Sequence, residues 1–217
     1  MSSLIQIGSN VGDEYIFKLI EDKKINLCVF IDANEKALEK CRENVSKFFE
    51  GKNIDWEMKC EYIICAISNS KKKEVELNIP IGDDYSNHSS LDASFPTIAD
   101  AKNGFESVKV LNYSINNIFD EFNLVNIEYL FIDVEGADHG ILMDLDWNKY
   151  NIDNVKFEFA HWGGWQGYSI PENSANLNHF LYYLIVGRKY KVYQSSATDI
   201  TATKIVNWVE NYNDEDR

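Results

Sequence analysis

Apolar residues in this chain occur in two patterns that alternate, short unbroken runs and longer stretches with apolar positions every three or four residues. Ile5-Gln6-Ile7 predicts a buried strand that enters a glycine turn, Gly8-Ser9-Asn10-Val11-Gly12-Asp13. Tyr15, Ile16, Leu19 and Ile20 then recur at helical spacing from Glu14 to about Asp22. Asn26 to Asp32 is nearly continuously apolar, as a parallel strand covered on both faces requires. Ala37, Leu38, Cys41, Val45, Phe48 and Phe49 mark an amphipathic helix from Asn34 to Glu50, which Gly51 ends. Glu61 to Ile67 predicts a third strand, and Glu74 to Ile79 alternates as a strand with one exposed face.

Residues 82–104 break the rhythm with Asp, Ser and Asn, and are too long for a plain connection; such loops are lids, binding segments or disordered. The rhythm resumes with a strand over Ser107 to Leu111, a helix over Ser114 to Phe122, and strands over Ile127 to Asp133 and Val155 to His161. Asn178 to Val186 reads as a helix, and Tyr190 to Gln194 with Ile200 to Ile205 as a closing pair of strands. Strands alternating with helices predict an α/β fold. A length of 217 residues, 45% of them hydrophobic, suits one domain spanning 1–217 with an irregular insertion around 82–104.

Charge narrows the partners. The formal net charge of −14 sets the surface against phosphate backbones and anionic membranes, so neither nucleic acid nor membrane insertion is expected. The start of the chain has no basic stretch followed by an apolar run, and nowhere are there 18 consecutive apolar residues, so a cytoplasmic location is expected. Cys28, Cys41, Cys60 and Cys65 lack the close paired spacing of zinc sites and read as reduced packing residues, with Cys65 near enough to a strand end to touch a ligand.

Candidate chemistry collects at the ends of the predicted strands. The glycine turn lets backbone approach a ligand closely. Asp32 follows Gly12 by 20 residues, the interval at which nucleotide-binding α/β folds offer a carboxylate to ribose, although capping the next helix would also use it. Ala66 is small enough to leave room for a flat ring. The strand ending at Asp133 leads into Glu135, Gly136, Asp138 and His139, and the next strand delivers Glu158 and His161 to the same edge, followed by an aromatic loop from Trp162 to Tyr168.

The order of glycine turn, Asp32, Cys65-Ala66 and Asp133-Val134-Glu135-Gly136 resembles a class I S-adenosylmethionine-dependent methyltransferase. More narrowly it resembles the FkbM methyltransferase family, on Ile7 to Asp13, Asn44, Ala66-Ile67-Ser68-Asn69, Ser89-Ser90-Leu91 and Phe131 to Asp138. The resemblance implies a Rossmann-like doubly wound fold, a mostly parallel seven-stranded sheet with an antiparallel C-terminal strand and helices on both faces. It also implies methyl transfer from S-adenosylmethionine to a hydroxyl of a sugar, glycoconjugate or secondary metabolite. Carried across, Gln6, Gly8, Ser9, Asn10, Gly12 and Asp13 would hold the methionine end, Asp32 the ribose with Ala33 beside it at the cofactor, and Ala66 the adenine region. Asp133 and Glu135 would face the reacting centre. Gln6 stands where relatives usually carry an acidic residue, and Ala33 where they carry proline.

Displacement by a hydroxyl oxygen calls for a base. His161 titrates nearest neutrality and is the first candidate, followed by Asp133 and Glu135 as carboxylates that face the hydroxyl. Asp133, Glu135, Asp138, Glu158 and His161 are also a donor set for a hard divalent cation, an arrangement that is an alternative and not the expectation. A nicotinamide enzyme fits poorly, since Asn10 and Asp13 occupy positions its fingerprint gives to glycine. The other alternative is a non-catalytic adenosine-ligand or glycan-binding module derived from a methyltransferase. The tryptophans of the aromatic loop serve equally a sugar platform, core packing or a homodimer contact.

Overall fold

The computed structural model describes residues 2–82, 85, 89–93, 101–159 and 171–205, without the side chains of 171–176. All statements of number or absence below concern the described residues. Elements run in the order β1 (Ser3–Ile7), α1 (Glu14–Lys23), β2 (Leu27–Asp32), α2 (Glu35–Phe49), β3 (Lys59–Ile64), β4 (Ala66–Ile67), β5 (Glu74–Pro80) and β6 (Phe105–Tyr113). They continue with α3 (Ile115–Glu121), β7 (Asn126–Ile132), α4 (Asp138–Asp144), β8 (Asn151–Glu158), α5 (Pro171–Tyr182), a π-helical turn (Tyr183–Gly187), β9 (Tyr190–Gln194) and β10 (Asp199–Lys204).

Seven strands form one sheet in the order β3-β2-β1-β7-β8-β10-β9, in which β10 runs antiparallel to both its neighbours and the remaining pairs are parallel. This is the Rossmann-like α/β architecture that the alternating pattern and the resemblance lead one to expect. The unbroken apolar runs have their cause in two-sided burial. Leu4, Cys28 and Phe30 pack with Ile16, Phe17, Leu38 and Cys41 of α1 and α2. Ile5, Ile7, Val29 and Ile31 face the other way, into a larger core with Ile118, Phe119, Ile141, Leu142 and Leu184. Burial of whole apolar side chains on both faces, worth about 1.5–3 kcal/mol each, dominates over local propensity.

Helix starts are fixed by polar caps. The Asp13 carboxylate accepts from the Tyr15 N–H at 2.8 Å, Asn34 caps α2, and Ser114 and Asn117 form a reciprocal capping box at α3.

Two departures from the sequence pattern matter for the site. The predicted third strand breaks at Cys65: Lys59–Ile64 stays in the large sheet, while Ala66–Ile67 pairs in parallel with Asn112–Tyr113 in a separate three-stranded sheet, β4-β6-β5. An apolar run reads as one strand because periodicity cannot register a change of partner. The predicted helix from Asn178 to Val186 instead begins at Pro171 and passes into the π-helical turn at Tyr183.

The strand order reverses direction at β1, which lies between β2 and β7. At such a switch point the chain departs to opposite faces and leaves a crevice beyond the carboxyl ends of the strands.

Candidate active site

The crevice is built from four strand ends. At the first, the glycine turn is drawn under β2, since the Gly8 and Ser9 N–H groups both donate to the Ile31 carbonyl, at 2.9 and 3.0 Å. Asn44 of α2 pins the far side of the turn, its Nδ2 donating to the Val11 carbonyl at 2.8 Å. The two glycines have distinct duties, neither of them simple ligand access. At φ +75°, a Cβ on Gly8 would stand 1.8 Å from the Asp133 carbonyl oxygen. At φ +82°, one on Gly12 would stand 2.4 Å from Phe17 Cζ. Both positions are demanded by the fold's own packing.

At the second strand end, both carboxylate oxygens of Asp32 accept backbone N–H groups, Oδ2 from Asn10 at 2.7 Å and Oδ1 from Asn34 at 2.8 Å. Asp32 therefore shapes the glycine turn, holding Asn10 at φ 45°, and each oxygen retains lone pairs for a ligand. Burial pushes its carboxyl above the usual range, the N–H groups of Asn34, Asn10 and Ala33 pull it back, and Asp133 pushes it up again.

At the third, the chain leaves the large sheet through Cys65, whose N–H donates to the Asp32 carbonyl at 3.1 Å. At the fourth, the Asp133 N–H donates to the Ile7 carbonyl at 3.0 Å, and the turn continues through Glu135 at φ 52°.

These ends surround a cavity of about 450 Å³ lined by Gln6, the turn from Gly8 to Asp13, Asp32-Ala33, Cys65-Ala66-Ile67 and Asp133-Val134-Glu135, closed by Leu77, Ser89 and Leu91. The structure thus gathers in one crevice every cofactor residue that the sequence nominates. Leu77 and the role of Leu91 escape sequence reasoning. Leu77 is one apolar position of an alternating strand, and nothing local shows that β5 folds back over the crevice.

Gln6 lines this cavity, is 8% exposed, and its Oε1 meets no hydrogen-bond donor. A buried acceptor without a partner costs about 1–3 kcal/mol, so its presence points to a donor arriving from elsewhere. Asn10 Oδ1 is in the same condition.

The acidic cluster at the carboxyl edge is dense enough for its members to shift one another. Burial, then Asp133, Glu158 and Asp138, raise the Glu135 carboxyl to about 8. Burial, then Asp133 and Glu158, raise Asp138 to about 8, against partial relief from backbone N–H groups. Glu158 rises to about 7 through burial, Asp133 and Asp199. Like charges gathered in a partly dry site cannot all ionise, so protons stay on part of the cluster at neutral pH until a cation takes their place.

Among the described residues no three His, Cys, Asp or Glu side chains form a group that could hold a metal ion, and His161, the fifth member of the alternative set, lies outside them. The spacing of Asp133, Glu135, Asp138 and Glu158 along two strand ends brings them to one edge but fixes no common centre. His161 and the aromatic loop from Trp162 to Tyr168 lie outside the described residues. His139 lines a separate cavity with Trp147 and His179 instead of the crevice.

Comparison with known proteins gives this geometry a context. The family model described as "Methyltransferase FkbM domain" matches residues 6–194. A crystal structure of methyltransferase FkbM from Methylobacillus flagellatus KT is similar in fold, with a TM-score of 0.50 and 13% sequence identity. That match covers 93% of this chain and 43% of the other, so the chain spans less than half the length of that neighbour. No curated protein matches the chain.

Proposed function

The chain belongs to the FkbM methyltransferase family, and on that premise we propose that it is an S-adenosylmethionine-dependent O-methyltransferase acting on a hydroxyl of a sugar, glycoconjugate or secondary metabolite. The observation that carries the reading is Gln6 Oε1, a buried acceptor with no donor on the wall of a nucleoside-sized cavity. The ammonium of the cofactor's amino-acid end supplies such a donor. Asp32 would take ribose hydroxyls on the lone pairs that Asn10 and Asn34 leave open. Cys65, Ala66, Ile67 and Leu77 would enclose the adenine with small and apolar surfaces.

S-adenosylmethionine, when bound, supplies an electrophilic methyl group on a cationic sulfur. This chain's part is to hold the acceptor oxygen in line with that methyl group and take its proton. Positioning of that kind contributes about 7–11 kcal/mol in the best cases. Glu135 is suited to the second task, because a carboxyl raised to about 8 is a stronger base than an ordinary one, and a cation drawn beside it brings its titration toward neutrality. Asp133 would orient the hydroxyl, and His161 is the competing base.

The four free cysteines suit a reducing, cytoplasmic setting, and the net charge of −14 disfavours nucleic acid as the acceptor. No described helix is long and apolar enough to cross a membrane.

Calorimetry with S-adenosylmethionine, S-adenosylhomocysteine and NAD tests the reading. Binding of the first two without the third supports it, and binding of NAD alone overturns it.

A further inference from the structure

A second cavity, of about 680 Å³, adjoins the first, and Leu91 and Glu135 line both. Its volume falls in the range of pockets that take drug-sized ligands, larger than a single sugar ring needs. One wall is the β5–β6 hairpin, where Glu76 and Lys109 sit opposite each other in register. The segment from Ser68 to Lys72 also lines it, held by the buried Asn112 of β6. Ser68 Oγ donates to Asn112 Oδ1 at 2.7 Å, while Asn112 Nδ2 donates to the Ser70 and Lys72 carbonyls at 3.1 and 2.9 Å.

The junction between the two cavities is similarly fixed. Asn78 and Ser90 exchange backbone hydrogen bonds at 2.9 and 3.1 Å, and Ser90 Oγ donates to the Glu135 carbonyl at 3.1 Å. Neither the hairpin nor the Ser68 to Lys72 segment depends on a ligand for its shape, which lowers the ordering cost of binding.

By residue type the lining is mostly polar: hydroxyl, amide, ammonium and carboxylate side chains outnumber the apolar Val75, Leu91 and Ala137, their aliphatic stems add apolar surface between the polar heads, and no aromatic side chain is among the described residues that form it. A ligand dense in hydroxyls finds both donors and acceptors here. A flat phenol finds no ring to stack on among the described residues.

We infer that this groove holds the methyl acceptor, a polyhydroxylated compound larger than one sugar ring, with Glu76 and Lys109 as specificity-determining residues at the outer end and Glu135 at the junction with the cofactor cavity. The inference rests on the methyltransferase reading. It adds the acceptor's location, its class, and a function for the three-stranded sheet, which then forms one wall of the substrate site.

Saturation-transfer NMR on the intact protein, with maltose, cellobiose and catechol as probes, tests the assignment alongside calorimetry with S-adenosylhomocysteine. The disaccharides are expected to receive saturation and to shift the amide resonances of Glu76 and Lys109, and catechol is not. Glu76→Trp, at an exposed position, fills the groove and should weaken disaccharide binding by about tenfold or more while the nucleoside affinity stays within about twofold. Lys109→Trp, on the facing strand, should do the same. Disaccharides that give no transfer, catechol that binds better than they do, or both tryptophan variants binding disaccharides as the wild type does, overturn the groove assignment. Failure of the wild type to bind S-adenosylhomocysteine overturns the methyltransferase reading and the inference with it, a result distinct from the others.

Discussion

The Cα of Gly8 lies so close to the Asp133 carbonyl that a Cβ added there would stand 1.8 Å from its oxygen. The first and fourth strand ends of the crevice are therefore in backbone contact, and the glycine turn and the Asp-Val-Glu-Gly turn are two halves of one structure. Gly8→Ala combines this clash with a left-handed φ of +75°. It should cost about 3 kcal/mol or more in unfolding free energy and abolish S-adenosylhomocysteine binding. Denaturant unfolding with calorimetry checks both, and an unaltered stability would contradict the contact.

Gln6 separates stability from binding. Its Oε1 is buried without a donor, so Gln6→Met removes an unpaired acceptor at nearly constant volume. Stability is expected to stay level or rise by up to about 1–3 kcal/mol, while affinity for S-adenosylmethionine falls about tenfold or more. A stability loss with affinity retained would show that the amide serves the fold alone.

Asp32 should show both effects at once. Asp32→Asn leaves at least one of the backbone N–H groups that the carboxylate accepts facing another donor, a change worth about 1–3 kcal/mol of stability. It also weakens the ribose contact. Thermal melts and nucleoside titration of this variant should move together, and loss of affinity with an unchanged melt would remove Asp32's part in shaping the turn.

The acidic edge makes stability depend on pH in a definite direction. Glu135 and Asp138 have folded-state values of about 8 against ordinary values of 4.5 and 3.8. The folded chain thus holds more protons than the unfolded one between about pH 4 and 8. Stability from these groups is complete below about pH 4 and is lost as pH rises through about 8. The melting temperature should drop by roughly 5 °C between pH 6 and 9, and Asp138→Asn should flatten the slope. A slope of opposite sign would contradict the clustering.

What the sequence made legible was governed by local physics. Two-sided burial writes itself as unbroken apolar runs, so β1, β2 and β7 were readable within a residue or two. The helices read from Asn34 and from about Ser114 begin at those residues, which cap them. That the residues nominated at the strand ends come together in one crevice was readable because a parallel sheet must deliver its strand ends to one edge.

Relationships between distant segments were not legible. Ala66 and Ile67 look like the end of the third strand, yet pair with Asn112 and Tyr113. The strand read as Ser107 to Leu111 extends to Phe105–Tyr113 because β5 pairs with its first residues and β4 with Asn112 and Tyr113 at its end. Gly12 lines the crevice and also makes room for Phe17 and Cys41, a packing duty that the turn's sequence does not reveal. The groove walls depend on Asn78 and Asn112, ordinary polar residues until the fold gives each its buried partners.

We propose that an amino-acid-bearing nucleoside occupies the crevice at the β1–β7 switch point. A crystal structure with S-adenosylhomocysteine bound is the decisive measurement. Ribose hydroxyls are expected on Asp32, the amino-acid end at Gln6, adenine beside Cys65 and Ala66, and the sulfur directed toward Glu135. A nucleoside bound elsewhere, or in this cavity with its ribose away from Asp32, would contradict the proposal.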